Sequence, residues 1–189
     1  MGAILSSLRN TVIVGILVTV AVYFGVQAPG EGVASAFFGR YLHIVSGVMW
    51  IGLLWYFNFV QIPTMPSIPD EQKPAIGKHI APAALFWFRW GAMATLITGL
   101  YTAHVFGYLT EALTLAESHR IIGVGMWMAI IMWFNVWFVI WPNQKKALGI
   151  VEADADTKAK SARTAMLFSR TNTLLSIPML YCMVMLSHG

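Results

Sequence analysis

Five long apolar runs, with no carboxylate in any of them, govern what this chain can become. They cover residues 8–26, 38–61, 83–108, 121–141 and 166–186. Each approaches or exceeds the roughly 20 residues that carry a helix across a hydrocarbon core. A lipid-exposed span must satisfy its own backbone, so it is either a helix or a strand of a closed barrel. Barrel strands alternate polar and apolar residues, and runs such as 127–140 do not. Composition agrees: 58% of residues are hydrophobic and 11% charged, against about 25% charged in soluble domains. The expectation is an all-α integral membrane protein, a single five-helix transmembrane bundle spanning residues 1–189.

The first run, with Arg9 ahead of it, has the general form of a secretory signal. Pro29 follows directly on Val26-Gln27-Ala28, however, and disfavours cleavage there, so the run reads as a retained helix. With five spans, one side carries Arg9, Lys73, Lys78, Lys145, Lys146, Lys158, Lys160 and Arg163; the other carries Arg40 and Arg120 with Glu31, Glu111 and Glu117. The positive-inside rule makes the first side cytoplasmic. The expected location is a bacterial inner membrane, N-terminus cytoplasmic and C-terminus periplasmic, with lipid rather than nucleic acid as the surroundings. Pro63, Pro66 and Pro69 suggest a stiff, non-helical second loop. The tryptophans fall in spans two to four, and Trp87, Trp90, Trp137 and Trp141 suit an interfacial belt.

Polar residues inside the runs mark two levels. His43, Gly47, Trp50, Leu54, Asn58 and Gln61 recur at helical spacing and form one face of the second span. Polar residues in a span normally face the bundle interior, so this stripe reads as an inner wall. His104 lies fifteen residues after Arg89, within about 60° of the same direction, and so can meet His43 at one depth. Facing histidines suit a haem iron, with Gly47 giving a flat macrocycle room. His119 is a rival ligand with the same spacing to Gly123, while His188 is expected to be solvent-exposed. The lone Cys182 excludes a Cys-x-x-Cys-His attachment, so a haem would be a non-covalent haem b. Zinc or copper on His43, His104 and His119 is the alternative. The opposite level holds Asn58, Gln61, Arg89, Asn135, Arg170 and Asn172. It is either a pocket for a planar anion or, for Arg89, a side chain snorkelling to headgroups between tryptophans. Gly123-x-Gly125 and Gly91-x-x-Ala94 read as helix-packing contacts.

Four stretches carry a family resemblance: 41–52 running on to Asn58-Phe-Val-Gln-Ile-Pro-Thr-Met-Pro66; Ala84-Leu-Phe-Trp-Phe-Arg-Trp-Gly91; Trp133-Phe-Asn-Val-Trp-Phe-Val-Ile-Trp-Pro-Asn-Gln-Lys145; and Arg170-Thr-Asn-Thr-Leu-Leu-Ser-Ile-Pro-Met179. Together they resemble the N-terminal membrane domain of the PuuD-type urate hydroxylases. The resemblance implies oxidation of urate to 5-hydroxyisourate, with electrons passed to a cytochrome c. In that family a cytochrome c domain follows the membrane domain; here a separate cytochrome c or a larger complex is the expected partner. The alternative function is a non-enzymatic haem b or accessory subunit of a respiratory or photosynthetic membrane complex.

Overall fold

The computed structural model describes residues 2–26 and 33–185, and no strand occurs among them. Gln27, Ala28, Pro29, Glu31, Leu186 and His188 lie outside the described residues. The chain forms two compact units, 1–37 and 38–189. The main helix of the first is α1 (Leu8–Val26), apolar on all sides beyond its first turn, which carries Arg9, Asn10 and Thr11. Thr11 Oγ1 ties its start to the carbonyls of Ile4 and Ser7 at 3.0 and 3.1 Å.

The remaining helices are α2 (Val33–Trp55), α3 (Ala81–Val105), the short α4 (Leu109–Leu113), α5 (Arg120–Phe134) and α6 (Ala155–Met185). Helices α2 and α3 run antiparallel, joined through small and hydroxyl-bearing residues. Gly91 lies on the backbone of Trp50, Gly47 on the methyl of Thr95, and Ser46 Oγ meets Thr98 Oγ1 at 3.4 Å. Small residues at such seams let helix backbones approach where water supplies no driving force. The fully enclosed core is Trp50, Leu54, Phe88, Met132, Val136 and Ile140, drawn from α2, α3 and the α5 region. Trp50 and Leu54 lie on the stripe read from sequence as the inner wall, and that wall does face inward.

Four helical stretches among the described residues, not five, are long and apolar enough to cross a membrane: Leu8–Gly25, Ser35–Ser67, Lys73–Val105 and Glu117–Ala147. Helix α6 has the length but is too polar, because Ser169, Arg170, Asn172, Ser176 and Pro178 fall in the run expected to span. The structure shows what three of those residues do. Ser169, Asn172 and Ser176 share one buried stripe with Ser161, Ala165, Met179 and Cys182, at spacings of three and four. Ser169 accepts from Asn58 Nδ2 (2.8 Å), Asn172 accepts from Asn135 Nδ2 (2.9 Å) and donates to the Met132 carbonyl (2.9 Å), and Ser176 accepts from Trp55 Nε1 (2.9 Å). The polarity that lowers the hydropathy of α6 is thus spent on its neighbours. Gly125 closes the seam against Cys182.

The second loop departs from expectation. Helical backbone continues through Ile62–Thr64 and Met65–Ser67 and resumes at Lys73–Ala75, leaving only residues 68–72 outside it. Pro63, Pro66 and Pro74 fall at the first positions of new turns, where no N–H is needed, and Pro69 lies in the non-helical stretch.

Three turns are of π width: Tyr56–Gln61 after α2, Ile76–Ile80 before α3, and Asn135–Ile140 after α5. Each stands immediately before an X-Pro step: Ile62-Pro63, Ala81-Pro82 and Trp141-Pro142. A proline ring presses on the carbonyl four residues back and lacks an N–H. Widening the preceding turn relieves that contact, and the residue before each proline bonds five residues back: Ile62 to Phe57, Ala81 to Ile76, Trp141 to Val136. Thr64 and Asn143, directly after two of these prolines, donate side-chain bonds to the Val60 and Val139 carbonyls at 2.7 and 2.8 Å. All three wide turns sit at one end of the second unit, the proline end.

Helix α6 starts from a side-chain cap. Asp154 Oδ1 accepts the Thr157 N–H at 2.8 Å and Oδ2 accepts the Thr157 hydroxyl at 2.7 Å. The backbone bond from Thr157, then its hydroxyl, hold the Asp154 carboxyl below the usual range. A carboxyl lowered by folding stabilises above its unfolded pKa, and that contribution is lost as pH falls through the folded value. Hydrogen exchange should therefore show the Thr157 amide losing protection on acidification, and losing less in Asp154→Asn. Identical acid loss in the two proteins would contradict the cap's charge dependence.

Candidate functional site

At the histidine end, the His43 ring lies on Gly99, where an added Cβ would sit 2.7 Å from Cε1. Its Nδ1 is 3.0 Å from the Thr95 carbonyl, so Nδ1 carries the proton and donates. Gly99, rather than Gly47, is the glycine this site requires. His104 is exposed. It lies five residues beyond Gly99, which turns it about 140° from the direction facing His43. The structure does not bring these two histidines together.

His119 belongs to a separate cluster at the mouth of α5. It pairs through Nδ1 with Glu111, lies 3.0 Å from Ser118 Oγ, and stacks on Tyr108 with ring centroids 5.4 Å apart. Burial pushes the Tyr108 phenol above its ordinary value, and the charge of Arg40 offsets part of that rise. Arg40 itself lies over the Phe106 ring at 4.7 Å. Gly107, with φ +80°, turns the chain out of α3 toward this cluster.

No three His, Cys, Asp or Glu among the described residues are grouped to hold a metal ion. His43, through the Thr95 carbonyl, and His119, through Glu111, each have a hydrogen bond of the kind that orients a ligating imidazole, but they belong to separate clusters. The pair of axial ligands expected for haem b is not assembled, and neither is the three-histidine alternative; these residues do not fit either group as arranged.

The proline end builds something different. A cavity of about 160 Å³ lies between the end of α2, the start of α3, the turn Trp141–Ala147 and α6. Gln61 enters it from the first wide turn, and Gln144 from the turn after Pro142. The Oε1 atoms of both are enclosed without a hydrogen-bond partner, and Asn58 Oδ1 is likewise enclosed beside Ser169. Phe57, Leu85 and Met166 supply hydrocarbon, and Ala81, Ala147, Ala162 and Ala165 leave the space open. The depression lined by Gly149, Glu152, Ala153, Asp154 and Lys158 is open loop surface by comparison.

Arg89 is not in the cavity wall. It lies one turn along α3 from Leu85, and its guanidinium covers the Trp141 ring 3.2 Å from the centroid. It thus stacks on a tryptophan of another helix, not on Trp87 or Trp90, with Nε enclosed and unpaired. Trp90 packs edge-on against Trp137, with ring centroids 5.5 Å apart. Asn135 is buried in its clasp with Asn172, and Arg170 is exposed. Of the residues expected at this level, Gln61 lines the cavity and Asn58 borders it through Ser169. Arg89 sits one turn away, Asn135 is structural and Arg170 points elsewhere. Gln144 was missed as a site residue because it follows the apolar run; the signal was Pro142 beside it.

The fold and this cavity define an all-helical protein of membrane-spanning composition with an amide-bearing pocket at one end of its bundle. Residues 114–188 match the family model described as urate oxidase N-terminal, in agreement with the resemblance read from the sequence. The matched segment contains Gln144 and two of the four resembling stretches. No curated protein and no solved structure matches the chain.

Proposed function

We propose that this chain is the membrane part of a urate-oxidising system and that urate binds in the proline-end cavity. The observation that carries this reading is the match of residues 114–188 to the urate oxidase N-terminal family, beside a cavity of about 160 Å³ lined in part by the amide side chains Gln61 and Gln144. Urate is a flat ring system edged with both N–H and C=O groups, and a side-chain amide can donate and accept. At neutral pH urate is a monoanion, and the Arg89 guanidinium one turn away provides favourable charge. Oxidation to 5-hydroxyisourate adds water and releases two electrons and two protons; the electrons leave singly to a cytochrome c. The Lys and Arg residues gathered at the proline end, Lys73, Lys78, Lys145, Lys146, Lys158, Lys160 and Arg163, support a cytoplasmic position for it.

The test is urate-dependent reduction of added cytochrome c by the purified chain in detergent. Reduction is expected, and Arg89→Gln should slow it at limiting urate by roughly tenfold, the equivalent of about 1.4 kcal/mol. A stable, folded preparation that binds urate but reduces no cytochrome c would leave binding without oxidation and overturn the enzymatic part. Absence of urate binding would remove the whole reading and favour an accessory subunit.

A further inference from the structure

Two cations converge on one tryptophan at the proline end. The Arg89 guanidinium lies 3.2 Å from the Trp141 ring centroid, and Lys145 Nζ lies 5.7 Å from the same centroid. Both side chains are half-buried, one carried by α3 and the other by the turn Trp141–Ala147. The ion pairs among the described residues are Lys73–Asp70 and His119–Glu111, so no carboxylate there neutralises either cation. Arg89 Nε is sealed, but neither its terminal nitrogens nor Lys145 Nζ is enclosed. Like charges held close together and partly out of water repel, and an anion bound to both removes that repulsion. Trp87 and Trp90, on either side of Arg89 in the sequence, are 56% and 50% exposed, as suits a belt at headgroup depth. Phosphate oxygens are the anions a bilayer offers at that depth.

We infer that Arg89 and Lys145, brought together on Trp141, form a binding site for the phosphate of an anionic lipid. A phosphate offers several acceptor oxygens, so the planar guanidinium can take one pair and the Lys145 ammonium another. Basic pockets between membrane helices on the Lys- and Arg-rich side seat such headgroups. Phe86 and Trp87, exposed beside Arg89, leave hydrocarbon for the acyl chains. The inference goes beyond the urate reading and needs none of it. In neutral detergent the Arg89 charge stays available to the cavity, so the two readings are tested apart.

The experiment is native mass spectrometry of the purified full chain in neutral detergent, without urate, supplied with phosphatidylglycerol and phosphatidylcholine in equal amounts. The wild type should retain phosphatidylglycerol with a preference of about tenfold or more. Arg89→Gln and Lys145→Gln should each lower that preference by about fivefold. Lys146→Gln, which removes an exposed ammonium that does not lie on Trp141, should leave it unchanged. Thermal unfolding checks that the variants fold; if Arg89→Gln does not, Lys145→Gln against Lys146→Gln carries the test. No preference in the wild type overturns the inference. So does an equal loss in Lys145→Gln and Lys146→Gln, which would mean diffuse attraction to the basic end. Glycerol phosphate supplied in place of lipid should bind about tenfold more weakly or worse; binding as tight as that of the lipid would overturn the lipid assignment in favour of a soluble phosphate.

Discussion

Trp50→Ala should destabilise the protein by about 3–5 kcal/mol, the largest single loss expected in this chain. Trp50 is fully enclosed in the cluster that joins α2 to α3 and α5, and its backbone lies against Gly91. Removing the indole leaves a cavity that the small residues at this seam cannot fill. Its Nε1–H is enclosed with no acceptor, so part of the side chain works against stability. Trp50→Phe keeps much of the packing and removes the unpaired donor, a relief of about 1–3 kcal/mol against a smaller cavity cost. It should therefore cost far less than Trp50→Ala. Unfolding by denaturant in mixed micelles measures both variants. Equal losses would mean that the N–H is satisfied and that packing alone decides.

Asn172→Ala is the second. Asn172 accepts from Asn135 and donates to the Met132 carbonyl, both at 2.9 Å, with no part of the residue exposed. Its removal strands the Asn135 amide between α5 and α6. Interhelical bonds in membrane proteins average well under 1 kcal/mol, with a maximum near 1.7, while stranding a buried donor costs about 1–3. The expected loss is about 1–2 kcal/mol. Asn135→Ala added to Asn172→Ala should cost little more, because the two residues share one bond. The sole cysteine, Cys182, reports the consequence directly: it is buried on α6 against Gly125. Its maleimide labelling should accelerate in Asn172→Ala as α6 loosens. An unchanged labelling rate would show that apolar packing alone seats α6.

Much of this architecture was legible in the sequence, and the failures share a cause. The stripe through His43, Gly47, Trp50 and Leu54 gave the inner wall because regular helix keeps one period along that stretch. Beyond Trp55 the turn widens, and a fixed period no longer says where a side chain points. Of the X-Pro steps at Pro63, Pro82 and Pro142, the first reads from sequence as a loop signal rather than as the cause of a wide turn, and the other two carry no reading at that level. Helix α6 was counted as a span on length and apolar ends, although its Ser169, Asn172 and Ser176 serve protein neighbours instead of lipid. His104 was phased against Arg89 on its own helix, whereas the face that meets α2 is set by Gly91, Thr95 and Gly99. Arg170 follows Ser169 by one residue, a step of about 100°, which carries it off the buried stripe. Glycine positions proved the better guide: Gly91, Gly123 and Gly125 all mark close helix contacts.

Urate binding at the proline end is the central claim, and Ala162 offers the most direct way to test it. This residue lines the cavity yet is exposed, so Ala162→Phe can fill the entrance without crowding the core. Urate binding to the purified wild-type chain should be saturable, and Ala162→Phe should weaken it by more than about tenfold with its unfolding temperature unchanged. Urate bound equally well by wild type and Ala162→Phe, or not bound by the wild type at all, would contradict it.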